Sequence, residues 1–287
     1  METSELLKKV RKIEIKTKGL SKQVFSGEYH SAFKGRGMAF SEVRNYIPGD
    51  EIRTIDWNVT ARFNEPYVKV FEEERELTVM LLVDISGSES FGSNELLKRE
   101  FIAEIGAVLA FSATQNNDKI GAILFSDQIE LYIPPKKGRK HILRIIRELI
   151  EFKPKSNLTN IAEVVQQFNN LVKKRAIAFI ISDFIENNLE NALKITAKKH
   201  DLIALRIFDK REKELPNTGN TLFEDGETGQ KKWINTGKKR VREIYYNNAL
   251  SREHNVLEVF KKSKVDHANI CIQSGYIQPL MNLFKKR

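Results

Sequence analysis

An aspartate and two serines, Asp84, Ser86 and Ser88, alternate through the stretch LTVMLLVDISGSESFG, residues 77–92. One carboxylate and two hydroxyls are hard oxygen donors, which suit Mg2+ or Mn2+ and suit zinc or copper poorly. Two later positions offer the same chemistry. Thr159 follows the turn-like Lys155, Ser156 and Asn157, at a helix start where a hydroxyl can cap the helix or reach a metal. Asp183 closes the apolar run RAIAFIISDF much as Asp84 closes its own. All five residues fall at the ends of predicted elements.

The elements that must position them follow from the hydrophobic pattern. Residues 77–83 and 175–182 are rich in apolar residues without polar alternation, as expected of strands in a parallel sheet covered on both faces. Ligands of such sheets bind beyond the carboxyl ends of the strands. Leu97, Phe101, Ile105, Val108 and Leu109 share one stripe, predicting a helix over 94–115 capped near Ser93 or Asn94. DKIGAILFSDQIELYIPP reads as a hairpin whose second strand lies antiparallel at the sheet edge and stops at Pro134-Pro135. Helices are predicted over 139–152, 160–173 and 187–199, then a strand over 200–208, with His200 as a capping or packing residue. The polar stretch 209–237 suggests a surface hairpin with Leu222, Phe223, Trp233 and Ile234 as its apolar side. A basic helix over 238–262, a strand over 265–273 and a helix over 275–284 close the chain. Alternating strands and helices predict an α/β fold with a mostly parallel sheet and helices on both faces.

Ahead of this pattern, Leu6, Leu7, Val10 and Ile13 have the spacing of a short amphipathic docking helix. Residues 25–76 are dense in Gly, Arg, Asp and aromatics, with a turn signal at Pro48-Gly49. Here Arg44, Asp50, Arg53, Asp56, Trp57 and Arg62 are candidates for a catalytic cluster, a partner-binding face or a structural ion-pair network. No His, Cys or Lys sits among them with nucleophile or base logic, and Arg with Asp commonly pairs to fix one surface against another.

The 287 residues carry a net charge of +10, and basic clusters lie at 136–141, 231–242 and the C-terminal FKKR. No nucleic-acid motif or stacking pattern of aromatics accompanies them, so they read as solvated faces. No apolar run approaches the roughly 18 residues of a membrane span, and the first residues lack the apolar centre of a signal peptide. The single cysteine, Cys271, excludes an internal disulfide and fits a reducing compartment. A cytoplasmic protein is expected.

Asp84, Ser86, Ser88, Thr159 and Asp183 together resemble the metal-ion-dependent adhesion site of a von Willebrand factor A domain. GRGMAFSEVRNYIPGDEIRTIDWNVTAR, residues 35–62, resembles the signature of the bacterial family called domain of unknown function fifty-eight, whose members pair such a segment with a von Willebrand factor A-like domain. The resemblance implies an N-terminal family-specific module over 1–75 and a Rossmann-like A domain over 76–287. It also implies that Ser86, Ser88 and Thr159 ligate Mg2+ directly, Asp84 and Asp183 act through its waters, and an acidic side chain of a partner completes the site. The implied role is a non-enzymatic adaptor for a MoxR-type AAA ATPase. Three residues depart from the family pattern: Glu89, where Met is common and from which a carboxylate can itself reach the ion; Leu158, in place of Gly before Thr159; and Ala39, where Glu is frequent. A Mg2+-dependent phosphoesterase and a nucleic-acid-binding protein acting through its basic face are the competing readings. Ser86, however, occupies the position where dehalogenase-type phosphatases need a second Asp as general acid, and no G-x-x-x-x-G-K-[ST] is present.

Overall fold

Val79, Met80, Leu81, Leu82 and Val83 have essentially no exposed surface, because the strand they form is flanked by strands on both edges and by helices on both faces. A computed structural model describes residues 10–14, 16–17, 39–72, 76–87, 98–186, 188–224 and 229–287. Ser88, Glu89, Leu6, Leu7 and the expected cap at Ser93 or Asn94 lie outside the described residues. The chain divides into one unit of residues 1–32 and 78–287, and a second of residues 33–77.

The larger unit contains strands β3 (Thr78–Asp84), β4 (Lys119–Phe125), β5 (Ile129–Lys136), β6 (Ile177–Ser182), β7 (Asp201–Phe208) and β10 (Asp266–Cys271). They form one sheet in the order β10-β7-β6-β3-β4-β5, parallel except for β5. Helices α2 (Lys98–Gln115), α3 (Arg139–Glu151), α4 (Ile161–Leu171), α5 (Leu189–Lys199), α6 (Lys239–Ser263) and α7 (Ile277–Lys285) complete it, with a separate hairpin of β8 (Asn220–Glu224) and β9 (Lys231–Asn235). Met80, Leu82, Ile123 and Ile180 pack with Val164 and Phe168 of α4, Leu193 of α5 and Phe260 of α6 in one buried cluster. Truncating a residue such as Leu82 to alanine there costs about 2–5 kcal/mol.

Three expectations are corrected. The residues of α2 are buried on nearly every face from Phe101 to Ala113, not along one stripe. It packs closely on α3 at Gly106, where an added Cβ would stand 2.9 Å from Leu149 Cδ1. Pro134 and Pro135 lie inside β5 rather than after it, tolerated because β5 is an edge strand with one unpaired side. In the β8–β9 hairpin Leu222 lies opposite Trp233, whereas Thr221 faces Ile234 and Phe223 faces Lys232. Because successive side chains alternate between faces, the four apolar residues split: Leu222 and Trp233 face solvent, while Phe223 and Ile234 are half-buried.

Toward the N-terminus of this unit, Val10 and Ile13 are buried, and Glu14 and Lys16 pair with Arg139 and Glu104. His200 is a packing residue. Its ring lies 4.6 Å from that of Phe168, and Nδ1 accepts the Ala176 N–H at 3.2 Å.

Residues 33–77 hold an antiparallel pair, β1 (Ala39–Asn45) and β2 (Tyr67–Glu72), and the short helix α1 (Trp57–Phe63). Gly49, at φ +111°, supplies the turn that follows Pro48. Asp56 caps α1 by accepting the Asn58 and Val59 N–H groups, and Asn64 ends it in the left-handed conformation.

Candidate metal centre

Asp84 is the last residue of β3, and its neighbour in the sheet, β6, ends level with it at Ser182. Parallel register therefore delivers Asp84, Ser182 and Asp183 to one spot at the carboxyl edge. Asp84 is 1% exposed; Oδ1 accepts the Ser86 N–H at 2.9 Å and Oδ2 accepts the Ser182 hydroxyl at 2.7 Å. Burial and the nearby Asp183 carboxylate push the Asp84 carboxyl up to about 6, against the pull of these hydrogen bonds.

Asp183 turns the chain sharply. Its Oδ1 accepts the Ile185 N–H at 3.1 Å, and Phe184 between them has φ +58°, a strained conformation for a bulky residue. Two contacts hold Phe184 there: its N–H donates to Ser182 Oγ at 3.1 Å, and its ring packs edge-on against Phe260 at 4.9 Å. The next acid, Glu186, accepts the Ile161 and Ala162 N–H groups and so anchors the start of α4.

The Thr159 segment is tied to the same edge by backbone. Gly87 N–H donates to Asn157 O at 3.0 Å and Asn160 N–H to Ser126 O at 3.2 Å. Glu130 Oε1 accepts the Lys155 N–H at 3.0 Å. Asn160, not Thr159, caps α4, its side chain accepting the Glu163 N–H. The capping role open to Thr159 is thus filled by its neighbour, because Asn160 is the residue one step outside the first helical turn.

One group at this edge has no sequence counterpart among the candidates. Lys98, at the start of α2, is fully buried, and its ammonium lies 3.2 Å from Asp183 Oδ2 and 3.4 Å from Glu212 Oε1. Glu212, itself held above the ordinary carboxyl range by burial, is brought in by the turn after β7. Among the described residues, no three His, Cys, Asp or Glu side chains gather to hold a metal ion. The donor set is two carboxylates with hydroxyls, which suits a hard divalent ion that keeps several of its waters. Asp84 supports the fit: its buried carboxylate accepts hydrogen bonds from Ser86 and Ser182 and has no cationic partner among the described residues, so a bound cation would offset its desolvation.

The candidates of residues 44–62 separate. Arg44 and Asp50 make a two-pronged ion pair with both contacts at 2.7 Å, holding Asp50 down to about 2, and Asp56 is the α1 cap with Lys69 at 3.5 Å. Arg53, Trp57 and Arg62 are exposed, Trp57 by 67%. Among the described residues no helix is long and apolar enough to cross a membrane.

The family described as Protein of unknown function DUF58 matches residues 42–255. The uncharacterized protein Rv1480 of Mycobacterium tuberculosis is 30% identical over 223 residues, covering 77% of this chain and 70% of that protein. The uncharacterized protein YeaD of Bacillus subtilis is 28% identical over 109 residues, 38% of this chain and 25% of YeaD. Among solved structures, the chain is similar to an aerotolerance-related membrane protein from Bacteroides fragilis, with a TM-score of 0.50 and 16% identity over 74% of this chain and 100% of that one. At that identity the likeness concerns the fold, which is von Willebrand factor A-like.

Proposed function

This chain belongs to the DUF58 family, and we propose that it is a protein-binding module whose Asp84–Asp183 edge takes Mg2+ or Mn2+ and engages an acidic side chain of its partner. The observation that carries the reading is the convergence of two buried aspartates from adjacent parallel strands, one of them without a cationic partner among the described residues. A bound ion would supply an electrophilic position for the partner's carboxylate oxygen. The chain's own residues do the rest. Ser182 and the Ser86 N–H orient Asp84, while Lys98 and the Ile185 N–H fix Asp183. Ser86 and Thr159, together with Ser88, are the hydroxyl ligands in this proposal. Because Lys98 already places one positive charge on Asp183, the site keeps little spare negative charge, which favours leaving a position for an outside acid.

The role is an adaptor rather than an enzyme. The residue two beyond Asp84 is Ser86, whose hydroxyl has too high a pKa to act as the general acid of a phosphatase. The family resemblance nominates a MoxR-type AAA ATPase as partner, with the cytoplasm as its place of work. The test is capture of that ATPase by wild-type and Asp84→Ala protein, each with Mg2+ and with EDTA. Retention by wild type with Mg2+ alone is expected, whereas equal retention in all four conditions would sink the reading.

A further inference from the structure

Adjoining the donor set above, and sharing Asp183 with it, lies a cavity of about 260 Å3. It is bounded by the loop after β6, the carboxyl end of β7 and one face of α6. Its size is near the lower end of small-molecule sites, about 300 Å3. Part of the lining is apolar, from Phe184, Leu189, Val256 and Val259. Part is cationic. Arg206 and Lys213 flank the Phe208 ring, at 5.1 Å and 4.1 Å from its centroid. Both pair with Glu253, Arg206 at 3.1 Å and Lys213 at 2.7 Å, and Arg252 also lines the space.

The charges decide what such a cavity takes. On the acidic side, Asp183 and Glu212 share Lys98, and Glu186 is engaged by the first amides of α4. Of the three lining cations, Arg206 and Lys213 share the single carboxylate of Glu253, and Arg252 lies beside the Tyr245 hydroxyl. Arg206 is 7% exposed, and its Nε is buried without a hydrogen-bond partner among the described residues, an unused donor inside a low-dielectric wall. With two cations already over the Phe208 ring, a cationic ligand finds that ring occupied.

We propose that this cavity binds a monocarboxylate with a short hydrocarbon body: the carboxylate on the Arg206–Lys213–Arg252 wall, the body against Val256 and Val259. The site does not depend on the metal reading. Two sources share this chemistry, a free aliphatic acid and the C-terminal carboxylate of a peptide ending in an apolar residue.

The test is calorimetric titration of the full chain with hexanoate, hexanol, and an acetylated tripeptide ending in leucine as the free acid or the amide, in Mg2+ and in EDTA. Hexanoate and the free-acid peptide are expected to bind in both buffers, and hexanol and the amide at least about tenfold more weakly, the factor that about 1.4 kcal/mol represents. Tighter binding of the peptide acid than of hexanoate identifies a chain terminus as the source, and the reverse order a free acid. Val256→Trp, which fills the cavity without touching the charges, and Arg206→Met should each abolish hexanoate binding in protein whose circular dichroism is unchanged. Equal binding of hexanoate and hexanol, no binding of either acid, or undiminished hexanoate binding by folded Val256→Trp overturns the proposal. Failure in Mg2+-dependent capture with hexanoate binding intact would overturn only the adaptor reading.

Discussion

Acids in two regions of this chain, residues 33–77 and the carboxyl edge of the sheet, are shifted in opposite directions. In residues 33–77, Asp50 and Asp56 are half-buried near the surface and lie below the usual carboxylate range, the first chiefly through its hydrogen bond to Arg44 and the second through the α1 amides it caps. At the carboxyl edge of the sheet, Asp84 and Glu212 lie above that range, and burial is the largest cause for both. At the surface, water still solvates the charge, so each added hydrogen bond favours ionisation. At the sheet edge, desolvation outweighs the hydrogen bonds to Asp84 and, at Glu212, even the neighbouring Lys98 ammonium. Charges in the first region fix a local shape; charges in the second hold one another in place.

The sharpest way to break this contrast is Lys98→Met. It strips the buried cation from Asp183 and Glu212 and should cost about 3–5 kcal/mol, as for other broken buried pairs, seen as a fall in melting temperature on the order of 10 °C. Adding Asp183→Asn should recover part of that loss, and a double-mutant cycle measures how much. A strictly additive result would mean that the two groups are not coupled.

His200 tests the same principle with the opposite charge type. Its burial lowers the imidazole to about 4, and Nδ1 must stay unprotonated to accept from Ala176. The unfolded chain takes up a proton near pH 6.5, while the folded one resists until about 4. The stability contributed by neutral His200 is therefore complete above pH 6.5 and lost as pH falls from there toward 4. His200→Phe keeps the ring contact but loses the acceptor, so it should be about 1 kcal/mol less stable at pH 7. The deficit should shrink in urea unfolding series run down to pH 4.5; a constant deficit would refute this account.

The smallest effect is expected at the surface clip. Arg44→Ala should leave the melting temperature of the sheet unit unchanged. It should speed hydrogen exchange at Ile47, whose N–H donates to Asp50 Oδ2 at 2.9 Å. A large global loss would mean that this exposed pair behaves like the buried one.

The sheet was legible because two aliphatic runs end on aspartates, and strand ends are where a parallel sheet places its ligands. Asp84 and Asp183 were found on that ground, and parallel register then explains why they meet. Lys98 was not legible. A lysine at the start of a long helix reads as solvated, and only the fold shows that its ammonium meets two acids distant in sequence. Ser182, Glu130 and Glu186 escaped for a similar reason: each acts on a segment that the chain reaches later or has already left. The all-round burial of α2 could not be taken from one stripe of large residues, since Ala103, Gly106, Ala107 and Ala110 fill its other faces and are silent in a hydrophobic pattern.

Pro134 and Pro135 have a meaning beyond their tolerance in β5. A strand arriving from another molecule grows a sheet by accepting and donating along the exposed backbone, and at these two residues the edge has no N–H to give. The β5 side of the sheet is thereby a poor template for fibril-like association, and a peptide partner is denied strand addition along this stretch of it.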